Sequence, residues 1–330
     1  MRKTGRLIEN DLALRIAPKM VKKTPRRAAG KSALWLICFA LASQSLSATL
    51  FAQLRNWRTF TNTRAINQLL SHENHIFAAT TGGLLVFDQN AQTFATYTNA
   101  EGLATNNATA VAIDRRGKIW IALSDGKVNL LDPATGDIDL LVFDQQRSFT
   151  INDFFAAGDT MYIAFDFGVG EYRLDRNELK ETYQQLGLGF SPGIEATSLL
   201  LHDGTLYAGT AQGLATASLA FPNLKAPQSW NNVTASNGLP AGTITDLVVL
   251  NDAVVVATGT GIAMRADDNW TIVSDNLPDR NVKALAVDGT GLLAATPFAI
   301  YRTDDSSNWR RLDGFPGEPN DVIAANGTVW

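Results

Sequence analysis

The 330-residue sequence holds one cysteine and three histidines, and each scarcity closes off a class of chemistry. One thiol, Cys38, cannot form an internal disulfide, and it lies in a segment read below as removed on export. The mature chain then has no thiolate metal site and no cysteine nucleophile. His72 and His75 are three apart on an expected strand and turn, where positions i and i+3 face opposite sides, so they are not expected to share a metal. His202-Asp203-Gly204 reads as a surface turn. HExxH, P-loop and GxSxG patterns do not occur. The paired acids Asp267-Asp268 and Asp304-Asp305 fall where turn chemistry accounts for them. No catalytic residue, metal or cofactor is assigned.

Basic charge is also scarce beyond the N-terminal segment. Ten of the 28 Lys/Arg and two of the 32 Asp/Glu lie in residues 1–52, which leaves 18 basic against 30 acidic residues, a net of −12. A body of that sign repels phosphate backbones, so nucleic acid is excluded as a partner.

Long apolar runs are missing too. The run from Ala33 to Ala42 is interrupted by Ser43, Gln44, Ser45 and Ser47, short of the roughly 20 residues that span a bilayer. Lys22, Lys23, Arg26, Arg27 and Lys31 precede it, and Phe51-Ala52-Gln53 follows. This basic, apolar, small-residue order predicts an export signal over residues 1–52 that is cut after Ala52, or near Ser47 or Ala48. Met20 is an alternative start, since Glu9 and Asp11 do not suit a signal. Ile37 before Cys38 is too bulky for a lipid-attachment site. The remaining 53–330 is then one exported domain, in the periplasm or on the surface of a bacterium.

What the sequence does contain is a repeat. Gly117 to Asp137, GKIWIALSDGKVNLLDPATGD, reads as strand, Gly turn, strand and polar turn. Related segments are HIFAAT (75–80), KIWIAL (118–123), MYIAF (161–165), LYAGT (206–210), VVVAT (254–258) and LLAAT (292–296). They share a small residue: Ala79, Ala122, Ala164, Gly209, Ala257 and Ala295. Each is preceded by an apolar strand such as AINQLL (65–70) or TITDLVV (243–249). A Gly turn, a third strand and an often aromatic fourth strand follow, with Trp230, Trp270 and Trp309 read as packing residues. Copies of about 37–48 residues, each one small antiparallel sheet, are the signature of a β-propeller. Near-continuous apolar strands punctuated by Ala or Gly suit blades converging on an axis.

The expected fold is an all-β, seven-bladed propeller of four-stranded blades, with a six-bladed ring as the alternative. The seventh blade would take its outer strand from residues 56–61 (NWRTFT), which match the fourth-strand segments at Asn269-Trp270 and Asn308-Trp309. Its first two strands would come from 321–330. Its third would need about 12–15 residues past Trp330, so the chain reads as a piece of a longer protein.

The block ID…GKIWIAL…G…LLDPATG and the linker NGLP…I…L resemble the two-component regulator propeller repeats of bacterial periplasmic sensor domains. Similar repeats occur in an envelope protein associated with type IX secretion. The resemblance covers about residues 55–330. It implies an exported, non-catalytic module that senses or binds a glycan, peptide or protein; alternatively, it implies a docking component of a type IX-like secretion apparatus. In the sensor proteins a β-sandwich, a membrane helix and a kinase follow, and none is found here. A quinoprotein or carbohydrate-active propeller is the enzymatic alternative, suggested by the Ala134-Thr135-Gly136 turn and by an Asp-box-like turn at Thr303–Trp309.

Since strands alternate in direction, the second-to-third-strand turns and the links into each inner strand should share one end of the channel. Asp125, Lys127, Arg147, Asp166, Phe167, Arg280 and Phe298 form the candidate ligand-binding face there.

Overall fold

The computed structural model describes residues 61–144, 147–267, 269–315 and 317–330. The expected export signal lies outside them.

Six consecutive segments each fold into one four-stranded antiparallel sheet. Blade one comprises β1 (Ile66–His72), β2 (His75–Thr80), β3 (Gly83–Asp88) and β4 (Thr93–Tyr97). Blade two has β5 (Ala108–Ile113), β6 (Ile119–Leu123), β7 (Val128–Leu131) and β8 (Ile138–Leu141). Blade three has β9 (Ile151–Ala157), β10 (Thr160–Phe165), β11 (Gly168–Arg173) and β12 (Glu178–Tyr183). Blade four has β13 (Ala196–His202), β14 (Thr205–Thr210), β15 (Gly213–Ser218) and β16 (Asn231–Val233). Blade five has β17 (Ile244–Leu250), β18 (Ala253–Thr258), β19 (Gly261–Ala266) and β20 (Asn269–Ile272). Blade six has β21 (Ala284–Asp288), β22 (Gly291–Thr296), β23 (Ala299–Thr303) and β24 (Arg310–Arg311).

The expected seven-bladed ring is corrected to six blades. The last segment forms only a two-stranded sheet, β25 (Ala324–Ala325) with β26 (Thr328–Val329). This short sheet joins blade six through Val322, Ala324 and Val329, which pack with Leu293, Ala295 and Ile300. It reaches blade one through Trp330, whose ring lies 5.3 Å from Phe87, and through Asn326, which donates to the Glu73 carbonyl at 3.3 Å. Residues 56–60, expected as an outer strand, lie outside the described residues. Thr61 belongs to no strand, and its hydroxyl bonds the Gly82 carbonyl.

Second strands are the most deeply buried, with every residue of β6, β10 and β22 buried. Each is sandwiched between its own sheet neighbours and the adjoining blade, which leaves no wet face and explains why the apolar runs do not alternate. Between blades two and three, Trp120 packs edge-on against Phe154 and Tyr172, at 5.8 and 5.1 Å. Its Nε1 donates to Asp114 at 3.1 Å, so the indole is satisfied where water cannot reach. Trp230 is buried with its Nε1 on the Leu224 carbonyl at 2.8 Å, while the half-buried Trp309 donates to Val273 of blade five at 3.1 Å.

Glycine is required where the second strand turns into the third in five of the six blades, while blade six carries Ala299 there. Gly168 has φ +135°, and a Cβ there would sit 2.1 Å from the Tyr183 carbonyl oxygen. Asp88 and Asp305 organise outer turns by accepting backbone N–H groups, from Asn90 and Ala91 and from Ser307 and Asn308. The Asp-box-like segment is therefore one of several Asp-anchored turns. Among the described residues no helix is long and apolar enough to cross a membrane.

Candidate functional site

Inner strands approach the axis with a bulge near their start. The register breaks at Asn67, Thr109, Asn152, Thr197 and Thr245, where one extra residue is inserted into each of five blades. A bulge re-aims its side chain and leaves backbone groups without ladder partners. Both consequences shape the channel.

The bulge side chains reach sideways to the next blade. Asn67 Nδ2 donates to the Ala108 carbonyl (2.6 Å), Thr109 Oγ1 to Ile151 (2.9 Å), and Asn152 Nδ2 to Ala196 (2.8 Å). Thr197 Oγ1 donates to Ile244 (2.6 Å) and Thr245 Oγ1 to Val282 (2.9 Å). Lys283 Nζ continues to Asn320 Oδ1 (2.9 Å), and Asn320 Nδ2 donates to the Ile66 carbonyl (3.1 Å). The circle closes through the segment that leads into the two-stranded sheet.

A second layer serves the backbone N–H groups. Gln68 Oε1 accepts from Val111 N at 2.7 Å. Asp153 Oδ2 accepts from Leu199 N at 2.9 Å, and its carboxylate also takes Phe154 N. Asp246 accepts from Leu247 N (2.7 Å) and from Leu285 N of blade six (2.6 Å). Asp321 accepts from Val322 N (2.7 Å) and from Leu69 N of blade one (2.6 Å). Three carboxylates and one amide thus each satisfy an N–H group of the neighbouring segment, joining blades one and two, three and four, five and six, and the closing segment to blade one. At the corresponding positions of blades two and four stand Ala110 and Ser198, which make no such bond.

The shared small residue has its cause here. Gln68 faces Ala79, Ala110 faces Ala122, Asp153 faces Ala164, Ser198 faces Gly209, and Asp246 faces Ala257 across the inner hairpins. Opposite Gln68, Asp153 and Asp246, a larger residue would occupy the space through which these side chains reach the next blade. At Gly209 even a Cβ would meet Ser198 Oγ at 2.5 Å.

Together the two layers line a cavity of about 270 Å³ at the channel mouth. The three aspartates border it, so they are only half-buried by accessibility, but protein surrounds them on their other sides. Burial raises Asp153 and Asp321 to about 6 despite their N–H bonds, and raises Asp246 well above the usual carboxylate range. Repulsion among the three adds to the burial effect.

Each second-to-third-strand turn lies beside the entrance to its inner strand: Thr81 N bonds the Ala65 carbonyl, Ser124 N bonds Asn107, and Asp166 N bonds Thr150. The candidate face is therefore at the end of the channel where the cavity sits, although none of its seven residues lines that cavity. Arg147 and Phe167 are brought together, the guanidinium 4.4 Å from the ring centroid. Phe167 in turn stacks on buried Phe165, 4.9 Å apart and 9° from parallel. Asp125 and Lys127 form an ion pair within one turn. Arg280 instead holds the Asp275 carbonyl at 2.8 Å, in its own link. Asp166 and Phe298 are exposed in separate turns, Phe298 at 70%.

His72 and His75 are cross-strand partners rather than residues on opposite faces, because the turn between them is a tight hairpin. Each lies near its own acid, Glu73 at 3.9 Å and Asp88 at 3.7 Å. Among the described residues no three metal-ligating side chains gather to hold an ion. The channel residues were missed by sequence reasoning, though a signal exists. Polar pairs open otherwise apolar inner strands: Asn67-Gln68, Asn152-Asp153, Thr197-Ser198, Thr245-Asp246 and Asn320-Asp321.

In sequence, residues 76–231 match the N-terminal β-propeller domain of PorZ from type IX secretion, just under half of the chain. A search of the curated proteins returns no match. In structure, the chain is similar to PorZ of Porphyromonas gingivalis, described as an essential bacterial surface component of the type IX secretion system. The TM-score is 0.65 and the identity 19%, over 82% of this chain and 36% of that one. It is similar to the extracellular domain of a hybrid two component system from B. thetaiotaomicron, with TM-score 0.52 and 15% identity, over 83% of this chain and 44% of that one. The β-propeller domain of Cps50 (Swd1) from Myceliophteria thermophila aligns with TM-score 0.61 and 15% identity, over 80% of this chain and 92% of that one. The chain spans about a third of the PorZ chain. It thus resembles in sequence the PorZ propeller and in fold that protein and two-component extracellular domains, the two groups its repeats point to.

Proposed function

We propose that this chain is an exported, non-catalytic binding propeller of the bacterial envelope, which recognises a glycan, peptide or protein partner on the turn-rich end of its channel. The match over residues 76–231 to the propeller of a type IX secretion component carries this reading. Its geometry agrees. Several of the deep polar groups join blades, and Phe298, Asp166 and the Arg147–Phe167 pair are among the side chains at the surface of that end. An aromatic ring backed by a buried ring and capped by a cation is a rigid contact for sugar faces or partner side chains. A docking role in a type IX-like apparatus is a special case of the same reading.

Cell fractionation tests it. The full chain, expressed in a bacterium with an envelope of the relatives' kind, is expected in the periplasmic or surface fraction with residues 1–52 removed. An uncleaved chain found in the cytosol would overturn the reading.

A further inference from the structure

The hydrogen-bond directions at the channel mouth leave it rich in acceptors. Asn67 and Asn152 spend their amide N–H groups sideways, and Thr109, Thr197 and Thr245 spend their hydroxyl protons on carbonyls of the next blade. What remains is the Oδ1 of each Asn and the lone pairs of each hydroxyl. Deeper in, Asp153, Asp246 and Asp321 offer carboxylate oxygens, each with lone pairs beyond those taken by N–H groups. Ser198, only 4% exposed, lines the same cavity, and its Oγ has no partner.

Charge points the same way. The lining has three carboxylates against one ammonium, Lys283, whose Nζ is engaged with Asn320 rather than with any of the acids. Glu195 adds a carboxylate at the rim, 2.8 Å from Asn152 Nδ2. Burial raises these carboxyls first, and repulsion from the neighbouring aspartates adds to it at Asp246 and Asp321. A point-like metal does not fit, since among the described residues no three ligating side chains gather around one position. The cavity suits a cation that carries several N–H donors on a slender stem.

We propose that the channel mouth binds an organic cation, a protonated primary amine on an aliphatic stem, supplied either by a free polyamine or by a lysine side chain of a partner. This site is distinct from the turn face.

Calorimetric titration of the full chain tests it, with spermidine, N-acetyl-lysine amide, neutral pentanediol and calcium chloride as probes at matched ionic strength. One or both amines should bind saturably, one per chain, and the diol should not. The tighter amine identifies the source. Thr245→Lys places an ammonium where blade six already carries Lys283, so the fold has a precedent for it. It should weaken amine binding by about tenfold or more, from one like charge within several ångströms at an effective dielectric near 20. Lys283→Gln should tighten binding several-fold, and binding should weaken from about pH 7.5 to about pH 5 as the acids take up protons. Amine binding untouched by both substitutions would overturn the proposal, as would calcium binding in place of the amines, or no amine binding. If Thr245→Lys does not fold, an unchanged affinity in Lys283→Gln is sufficient to overturn it.

Discussion

Asp246→Ala removes one side chain that ties two blades. Its oxygens accept Leu247 N at 2.7 Å within blade five and Leu285 N at 2.6 Å from blade six. Leu247 N follows the bulge of blade five, and Leu285 N lies on the inner edge strand of blade six, which pairs only with β22; an orphaned buried N–H costs about 1–3 kcal/mol. Two orphans give about 2–6 kcal/mol. Part returns because the variant no longer buries a carboxylate that desolvation disfavours, so the lower half of that range is the expected loss near pH 7. Asp246→Asn keeps one acceptor oxygen but points an amide donor at the second N–H, so it should fall between wild type and Asp246→Ala. The assay is urea unfolding followed by tryptophan fluorescence, with midpoints compared at constant m-value. Asp313→Ala, at an exposed position, is the control and should stay within about 0.5 kcal/mol. If Asp246→Ala also stays within about 0.5 kcal/mol, the carboxylate does not join the blades and the described layer is wrong.

Three other outcomes follow from the same packing. Ala122→Leu, at a fully buried position facing Ala110, should cost about 1–3 kcal/mol by overpacking; a melting temperature within a degree of wild type would show that the small position is not constrained. Gly168→Ala should destabilise more than Gly136→Ala, because its Cβ would meet a backbone carbonyl at 2.1 Å while Gly136 opens to free space; equal losses in thermal melts would contradict this. For pH, Asp153 and Asp321 sit at about 6 in the fold, above the unfolded value near 3.9, so the fold takes up protons between those values. Their contribution is fully present below about pH 4 and lost as pH rises through about 6, so urea midpoints should carry a component that falls over that window. Asp153→Asn with Asp321→Asn should flatten it, and an unchanged slope would contradict the assignment.

The blades were readable because their second strands carry period and composition together. HIFAAT at 75–80 is β2 residue for residue, and VVVAT at 254–258 lies within β18. Tight Gly turns marked where the second strand folds back in five of the six blades, because the positive φ there suits glycine; blade six carries Ala299 instead. Closure was not readable, since linear order does not show that two short strands near Trp330 can fill the wedge beside blade one. The channel was hidden for a related reason. In a strand, a polar residue facing the axis and one facing solvent look alike, and a bulge shifts the alternation that would separate them. Asn152-Asp153 therefore read as part of an ordinary inner strand, though the pair forms two of the interblade ties. On the turn face, residue types were legible but not their company. Phe167 gains its backing from Phe165 two residues away, whereas Arg280 is held within its own link.

The most direct test of the binding role places a photo-crosslinker at Phe298, on the turn-rich end, and separately at Asn251, in the opposite hairpin turn, in the full chain inside its bacterial envelope. The account predicts one recurrent adduct at Phe298, reduced by Phe167→Ala, and none shared with Asn251. Equal labelling from both ends, or adducts to cytosolic proteins alone, would contradict it.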